Sequence, residues 1–469
     1  MAAQADVNTP LWQLSAAALA AAYRAGSITP PAVLDVCLAR LDALNPVLNA
    51  VVSQRRAAVL AEAQASAQRL ARGQPLSPLD GVPVLVKDNL PTADLPTTWG
   101  SPGLATYRPA QDELAVARLR AAGALIVGKG NVPEFTLEGY THNPLFGTTR
   151  NPFDTALTPG GSSGGAVAAV AAGFVPLALG TDGGGSTRRP ASHTGLVGFK
   201  PSIGAIAREH ALPPLLLDFE VVGPIARNVA DVRLLFDALS GPHAGDRSSQ
   251  ALPPPKSLPA SCRVLYVPTL GEAPVDPQIA TSCRTAVQRL RALGHHVEEG
   301  PLPLDLAFMT ERWPLVGQIG LSWLFKQQPA WRDGASATFR AMAEAGAVQP
   351  ASVLWDILER VATLRRAVDA MFTQVDLVVT PATAALPWPA ALPYPTLIDG
   401  QPVGPRGHAV FTGWVNAAGL PAIALPTAPS HEGLPIGVQL IAGFGRDHAL
   451  LDLAAQFESS GAAWHWPLP

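Results

Sequence analysis

Glycine and serine are concentrated at two points between Pro159 and Lys200, with Ser162 and Ser186 lying 24 positions apart. The first run is Gly160-Gly161-Ser162-Ser163-Gly164-Gly165 and the second is Asp182-Gly183-Gly184-Gly185-Ser186. Glycine has no Cβ and reaches positive φ without penalty, so successive backbone N–H groups in such runs can converge on one point. A nest of that kind holds an anion or a developing oxyanion. Each run read alone is also compatible with a tight turn carrying a capping serine. A phosphate cradle is the next alternative, but neither GxxxxGK[ST] nor GxGxxG with its downstream acid is present. A serine nucleophile needs a base. His193, the histidine nearest the second run, sits in an ordinary turn context and reads as structural. Lys87 follows the apolar stretch Val82–Val86. A lysine desolvated beside a sheet end loses its preference for the charged form and can act as a base.

These side chains need elements to hold them. The first 75 residues read as helices: Thr29 is an N-cap, Pro30 is N1, and Val33, Val36, Cys37, Leu41 and Leu44 follow at helical spacing. From Gly81 the texture becomes strand, helix, strand, with short apolar runs at Val82–Val86 and Ala124–Gly128 and an amphipathic helix from Glu113 to Ala122. That order predicts a crossover in a mainly parallel sheet. An apolar helix and strand separate the two glycine runs, which would bring both loops to one side of the sheet. A second unit is predicted from a strand at Arg263–Val267, a helix at Pro277–Leu293 and a strand at His296–Glu298. Residues 241–260 are a polar turn followed by the proline-stiffened ALPPPK. Residues 300–375 turn helical, and five of the ten tryptophans (Trp313, Trp323, Trp331, Trp355 and Trp388) fall in residues 300–395. Strands at Leu377–Val379, Ala422–Leu425 and Gly437–Ile441 and a helix over His448–Phe457 close the chain.

The 469 residues are 48% hydrophobic and 15% charged, enough for a large core and incompatible with disorder. The 47 prolines and 42 glycines stay below the share that marks low complexity. A formal net charge of −3 gives no electrostatic footprint for nucleic acid or an anionic membrane. Cys37, Cys262 and Cys283 are too few for a disulfide framework and form no metal-binding cluster, which fits a reducing cytoplasm. The apolar stretch Ala16–Tyr23 is preceded by Asp6 rather than a basic segment and followed by Arg24, so no signal peptide is expected. No apolar run is long enough to span a bilayer.

Taken together and in order, the motifs resemble the amidase signature family, serine hydrolases with a Ser–cis-Ser–Lys triad. GVPVLVKDNL at 81–90 resembles that family's lysine strand, and RLRAAGALIVGKGNVPEF at 118–135 its next helix and strand. NPLFGTTRNP leads into PGGSSGG, GTDGGGSTRRPA resembles the nucleophile loop, and residues 416–443 resemble the closing strands. The resemblance implies an α/β fold in a single domain over residues 1–469, a large mixed, mainly parallel sheet covered by helices on both faces. Within it residues 1–75 would be N-terminal helices, 76–240 the core bearing the triad, and 300–395 a variable helical elaboration around the substrate pocket. By the same resemblance Ser186 is the nucleophile, Ser162 the relay serine after a cis peptide bond, and Lys87 the base. The N–H groups of Gly183, Gly184, Gly185 and Ser186 would form the oxyanion hole, with Ser163, Asp182 and Arg188 supporting the loops. Thr187 stands where an aliphatic residue is usual, and Gly183 where Thr, Ser or Ile is common.

The implied reaction is hydrolysis of a small carboxamide or an aryl or acyl amide through an acyl-enzyme, with no metal or organic cofactor. The other reading is the glutaminase (A) subunit of a tRNA-dependent amidotransferase. Against it, residues 267–393 contain no tyrosine, and Ser186-Thr187-Arg188-Arg189-Pro190 replaces SIRQP. The expected partner is a small-molecule amide, not nucleic acid or membrane, and a homodimer is the assembly allowed for. The tryptophan density of residues 300–395 predicts an apolar, partly aromatic acyl pocket, with Thr136, Tyr140 and His142 as its other wall.

Overall fold

The computed structural model describes residues 9–254, 256–461 and 464–468, so Asp6 lies outside it. One sheet of eleven strands organises the molecule. In chain order the strands are β1 (Val51–Gln54), β2 (Pro83–Lys87), β3 (Leu125–Gly130), β4 (Leu177–Asp182), β5 (Val197–Lys200) and β6 (Val221–Ala226). They continue as β7 (Arg263–Tyr266), β8 (His296–Glu299), β9 (Leu377–Pro381), β10 (Ala422–Pro426) and β11 (Gly437–Ala442). Across the sheet the order is β1-β3-β2-β4-β6-β5-β10-β11-β9-β7-β8. The sheet is mixed, as expected. Its parallel pairs lie in two runs, β3-β2-β4 and β9-β7-β8, and the joints between and outside those runs are antiparallel.

Both faces are covered, and β2 shows why its sequence is an apolar run rather than an alternation. Val84 and Val86 pack into one core cluster with the helices Leu114–Ala121 and Val229–Leu239, while Leu85 packs into another with Pro30–Leu48 and Gly164–Ala171. A strand buried on both faces has no solvent side to mark with polar residues. Each such side chain contributes about 1.5–3 kcal/mol when fully buried. The helix Gly164–Ala171 (GGAVAAVA) is buried all round, and its small side chains let it lie close to the sheet.

Three strands of the sheet were not foreseen: β1, β5 and β6. β5 is the short, fully buried run VGFK. Val51–Gln54 falls within the stretch expected to be helical; it is a four-residue edge strand, paired antiparallel to β3 and carrying polar Ser53 and Gln54. β6 contains Pro224, which ordinarily argues against an interior strand. It is accommodated because β5 pairs with β6 only at Gly198↔Ile225 and Val197↔Ala226, leaving Pro224 opposite Leu179 of β4.

Residues 307–371 are helical, as their loss of strand character predicts. The helix Trp313–Gln327 packs along Ala337–Ala347, and Phe135 fills the space beneath with its ring 5.4 Å from both Phe325 and Phe339. All three cysteines are buried free thiols. No helix among the described residues is long and apolar enough to cross a membrane.

Candidate active site

Lys87 is the last residue of β2, and its side chain is fully buried. Its Nζ donates to Ser162 Oγ at 2.8 Å, to Thr181 Oγ1 at 2.9 Å and to Thr181 O at 3.1 Å. Burial lowers the Lys87 pKa from 10.5 to about 7, against the opposing pull of the Glu220 and Asp182 carboxylates. That displacement is the net of desolvation and the surrounding charges, on the order of 5 kcal/mol against the charged form. A lysine with that pKa is neutral in a large fraction of molecules at neutral pH. Ser162 follows a cis peptide bond from Gly161 and lies just before the helix Gly164–Ala171.

Ser186 stands at the end of the second glycine run, only 7% exposed. The two runs meet directly, since Ser163 N–H donates to Ser186 O at 3.2 Å. Ser163 Oγ donates to Thr181 O at 3.3 Å, tying the first run to β4. Ser186 Oγ has no hydrogen-bond partner among the described residues.

Asp182 organises the second glycine loop. Its carboxylate accepts from the N–H groups of Gly185 (2.7 Å) and Thr187 (3.1 Å), and from Arg188 Nη2 (2.8 Å) and Nε (3.0 Å). Burial opposes its ionisation, but the Arg188 guanidinium, with Lys200 and Asn416, outweighs that and holds the carboxyl far below the usual range. Asn416 Nδ2 donates to Asp182 O and Oδ1 at 2.8 and 2.9 Å, and Arg188 also reaches Gln439 Oε1 and Asn416 Oδ1. Gly185 has φ +112°, and a Cβ there would lie 2.6 Å from Thr412 Cβ and 2.8 Å from Arg189 Nε, so only glycine fits.

This arrangement corrects one expectation. The Gly185 N–H is committed to Asp182, which removes it from the predicted oxyanion hole. The N–H groups of Gly183, Gly184 and Ser186 donate to no acceptor among the described residues. Thr412 Oγ1 donates to Gly184 O at 2.7 Å, fixing the loop from the opposite side. Both departures in the loop have a visible setting. A Cβ on Gly183 would lie 2.6 Å from Leu216 Cδ1, so its absence admits the segment carrying Leu216. Thr187 Oγ1 is buried with no hydrogen-bond partner among the described residues, in a space bounded by Gly180 and Gly223.

A cavity of about 1350 Å3 reaches the loop at Gly184. Its wall is largely apolar and includes Leu302, Leu304, Leu306, Met309, Trp313 and Trp414, with Arg406 among its polar members. Of the five tryptophans in residues 300–395, Trp313 lines this cavity, stacked on Phe219 at 5.0 Å. Trp323 and Trp355 face solvent, Trp331 packs on Tyr107, and Trp388 packs between His193 and His408.

The three residues expected to form the other wall lie elsewhere. Thr136 lines a separate cavity of about 230 Å3, and its hydroxyl is occupied by Trp99 Nε1 and Phe135 O. Tyr140 presents its main chain to Gly161, with its atoms 2.6–2.9 Å from where a Cβ would stand. His142 is exposed and bonded to Thr148 Oγ1 at 2.9 Å. Neither of these last two lines either cavity. His193 is buried, with Nε2 3.1 Å from Ala385 O, and burial together with Arg189 lowers its pKa to about 4. It is a neutral structural residue.

Sequence reading missed the roles of Thr181, Asn89 and Thr412, and took Asn416 and Gln439 only as part of the closing strands. Asn416 and Gln439 did carry a signal: each is an amide in an otherwise apolar run, and a buried amide needs partners.

A family model described as Amidase matches residues 32–451. Among curated proteins, a glutamyl-tRNA(Gln) amidotransferase A subunit from Chloroflexus aggregans is 33% identical over 495 aligned positions, covering 98% of this chain and 99% of that protein. The indoleacetamide hydrolase of Bradyrhizobium diazoefficiens is 35% identical over 471 positions, covering 96% and 87%. Among solved structures, a bacterial aryl acylamidase of the amidase signature family superposes with a TM-score of 0.87 at 28% identity, covering 97% of this chain and 98% of that one. A 6-aminohexanoate cyclic dimer hydrolase complexed with substrate gives 0.86 at 29%, covering 96% and 98%. The chain therefore belongs to the amidase signature family of hydrolases acting on carbon–nitrogen amide bonds.

Proposed function

We propose that the chain hydrolyses small carboxamides or aryl and acyl amides through an acyl-enzyme on Ser186. The observation that carries this reading is the buried, hydrogen-bonded Lys87–Ser162 pair beside a glycine loop that opens on a large apolar cavity. As an ammonium, Lys87 has three N–H groups for three oxygens. As a neutral amine it keeps two of them on Thr181 O and Oγ1, and its lone pair faces Ser162 Oγ. Ser162 then passes its proton to Lys87 as it receives one from Ser186, whose oxygen attacks the amide carbonyl. The contact from Ser186 to Ser162 closes in the reacting complex, as catalytic hydrogen bonds commonly do. The N–H groups of Gly183, Gly184 and Ser186 receive the oxyanion, and each such donor is worth about 2.7–4 kcal/mol in other hydrolases. Ser162 returns the proton to the leaving ammonia or amine, and water cleaves the ester.

The cavity favours an acyl group larger than acetyl. Ligand pockets commonly measure about 300–1,000 Å3, and this one exceeds that range. Phenylacetamide should outperform acetamide in kcat/KM; equal values would remove the apolar acyl pocket from the reading.

The second reading, a glutaminase component of an amidotransferase, is favoured by the near full-length match to amidotransferase A subunits. The purified chain assayed alone for ammonia release from glutamine and from benzamide separates the two. Benzamide turnover without glutamine turnover supports the stand-alone amidase, and the reverse overturns it.

A further inference from the structure

We infer that Glu220 is a positioning residue for the catalytic lysine, acting through the Thr181 hydroxyl, with Arg208 holding it in place. This rests on the reading of Lys87 as the base. Thr181 Oγ1 accepts from Lys87 Nζ at 2.9 Å and from Asn89 Nδ2 at 3.0 Å. Both of its lone pairs are then used, so its single proton has one destination, Glu220 Oε2 at 3.3 Å. A carboxylate that fixes this rotor also fixes which way Thr181 presents its lone pairs to Lys87.

Glu220 is itself held. Arg208 Nη1 donates to Glu220 Oε1 at 3.0 Å, and Arg208 Nε donates to the buried Glu113 at 2.7 Å. The chain of contacts runs from Lys87 to Glu113 through Thr181, Glu220 and Arg208. Gly183 lies against this chain of contacts: the position a Cβ would occupy there is 3.4 Å from Glu220 Cβ, ordinary van der Waals contact, and 2.6 Å from Leu216 Cδ1, the far end of a flexible side chain.

The charges acting on Lys87 are Glu220 and Asp182, which favour its ammonium, and Arg208 and Arg189, which oppose it. Asp182 is neutralised by Arg188 at 2.8 Å. Glu220 shares Arg208 with Glu113, and its side chain remains 22% exposed along the smaller cavity. Removing the Glu220 charge therefore shifts Lys87 toward its neutral form.

The test is a pH series of kcat/KM on phenylacetamide for wild type, Glu220→Gln, Glu220→Asp and Lys87→Ala. Glu220→Gln should move the acid limb down by about one pH unit, the size expected for loss of a nearby opposite charge. Glu220→Asp keeps the charge but shortens the arm to Thr181, so the limb should hold while the high-pH plateau falls several-fold. A stationary limb in Glu220→Gln overturns the assignment. If that variant is not recovered folded, Glu220→Asp decides, and an unchanged plateau overturns it. Lys87→Ala distinguishes the two levels of failure. Loss of its acid limb alongside a stationary Glu220→Gln limb removes Glu220 alone. A retained limb in Lys87→Ala removes Lys87 as the base and Glu220 with it.

Discussion

The second glycine loop, residues 182–188, and the helices that wall the cavity lie side by side and are held by different physics. The Asp182 carboxylate and the Arg188 guanidinium have named partners throughout, drawn from the loop itself and from Asn416 and Gln439 far along the chain. The helices between residues 307 and 371 have almost no such bonds to the catalytic residues; Trp313 rests on Phe219, and Trp323 and Trp355 are 46% and 76% exposed. Hydrogen-bond networks specify position narrowly, because one missing partner leaves a buried group unsatisfied. Apolar packing tolerates exchange of side chains of similar volume. The loop is thus held narrowly in geometry, while the cavity wall can exchange side chains of similar volume at smaller cost.

Six substitutions break or sharpen this contrast. The largest effect falls on the chemistry: Ser186→Ala should lower kcat by about 10,000-fold or more, and Ser162→Ala by less, because water can stand in for a relay but not for a nucleophile. Their double variant should fall far short of the product of the single losses, since the group acts as a unit. Lys87→Met should be equally inactive yet more stable. The wild-type lysine carries a pKa of about 7 folded against 10.5 unfolded, so the unfolded state binds more protons between those values and stability rises with pH across that window. Thermal melts from pH 6 to 10 should show that slope in wild type and its loss in the variant.

Next is Asp182→Asn, which strands the fully buried Arg188 and should cost about 3–5 kcal/mol by denaturant titration. An unchanged midpoint would mean the loop is not held through Asp182. On the other side of the comparison, Trp313→Leu should reduce kcat/KM for phenylacetamide about tenfold while leaving acetamide nearly unaffected, a split read from two substrate titrations. Equal losses on both substrates would place Trp313 in the loop's support rather than the acyl wall. The smallest effect is at Thr187, whose buried hydroxyl has no partner among the described residues. Thr187→Val keeps the shape, removes that group, and should raise stability by about 1 kcal/mol, seen as a higher Tm with unchanged kcat.

The sequence was most informative where one residue type has few structural substitutes. Lys87 after an apolar run and the two serines inside glycine runs are conspicuous because strands and helices rarely need them there. The period-free run PVLVK was legible as a doubly covered strand for the same reason. What escaped was contributed across the sheet. Thr181 lies in LALGTD, where a threonine is an ordinary strand residue, and nothing local marks it as the acceptor for Lys87. Pairing between strands, not spacing along one of them, sets that contact. Tyr140 and His142 illustrate the converse: polar and aromatic residues close in sequence to a motif are not thereby close to its cavity. Trp313 and Trp355 are indistinguishable as letters, and only the helix face each occupies separates a cavity wall from solvent.

Asp182 and Arg188 draw their distant partners late in time as well as from afar in space. Asn416 and Gln439 lie 234 and 257 residues beyond Asp182, so no nascent chain can complete the nucleophile loop until nearly the whole polypeptide has been made. At translation rates of about 5–20 residues per second, that interval is roughly 12–50 s. A ribosome-bound chain ending before position 412 would carry Lys87, Ser162 and Ser186 yet should leave Arg188 without its distant anchors, and so remain catalytically silent during its own synthesis.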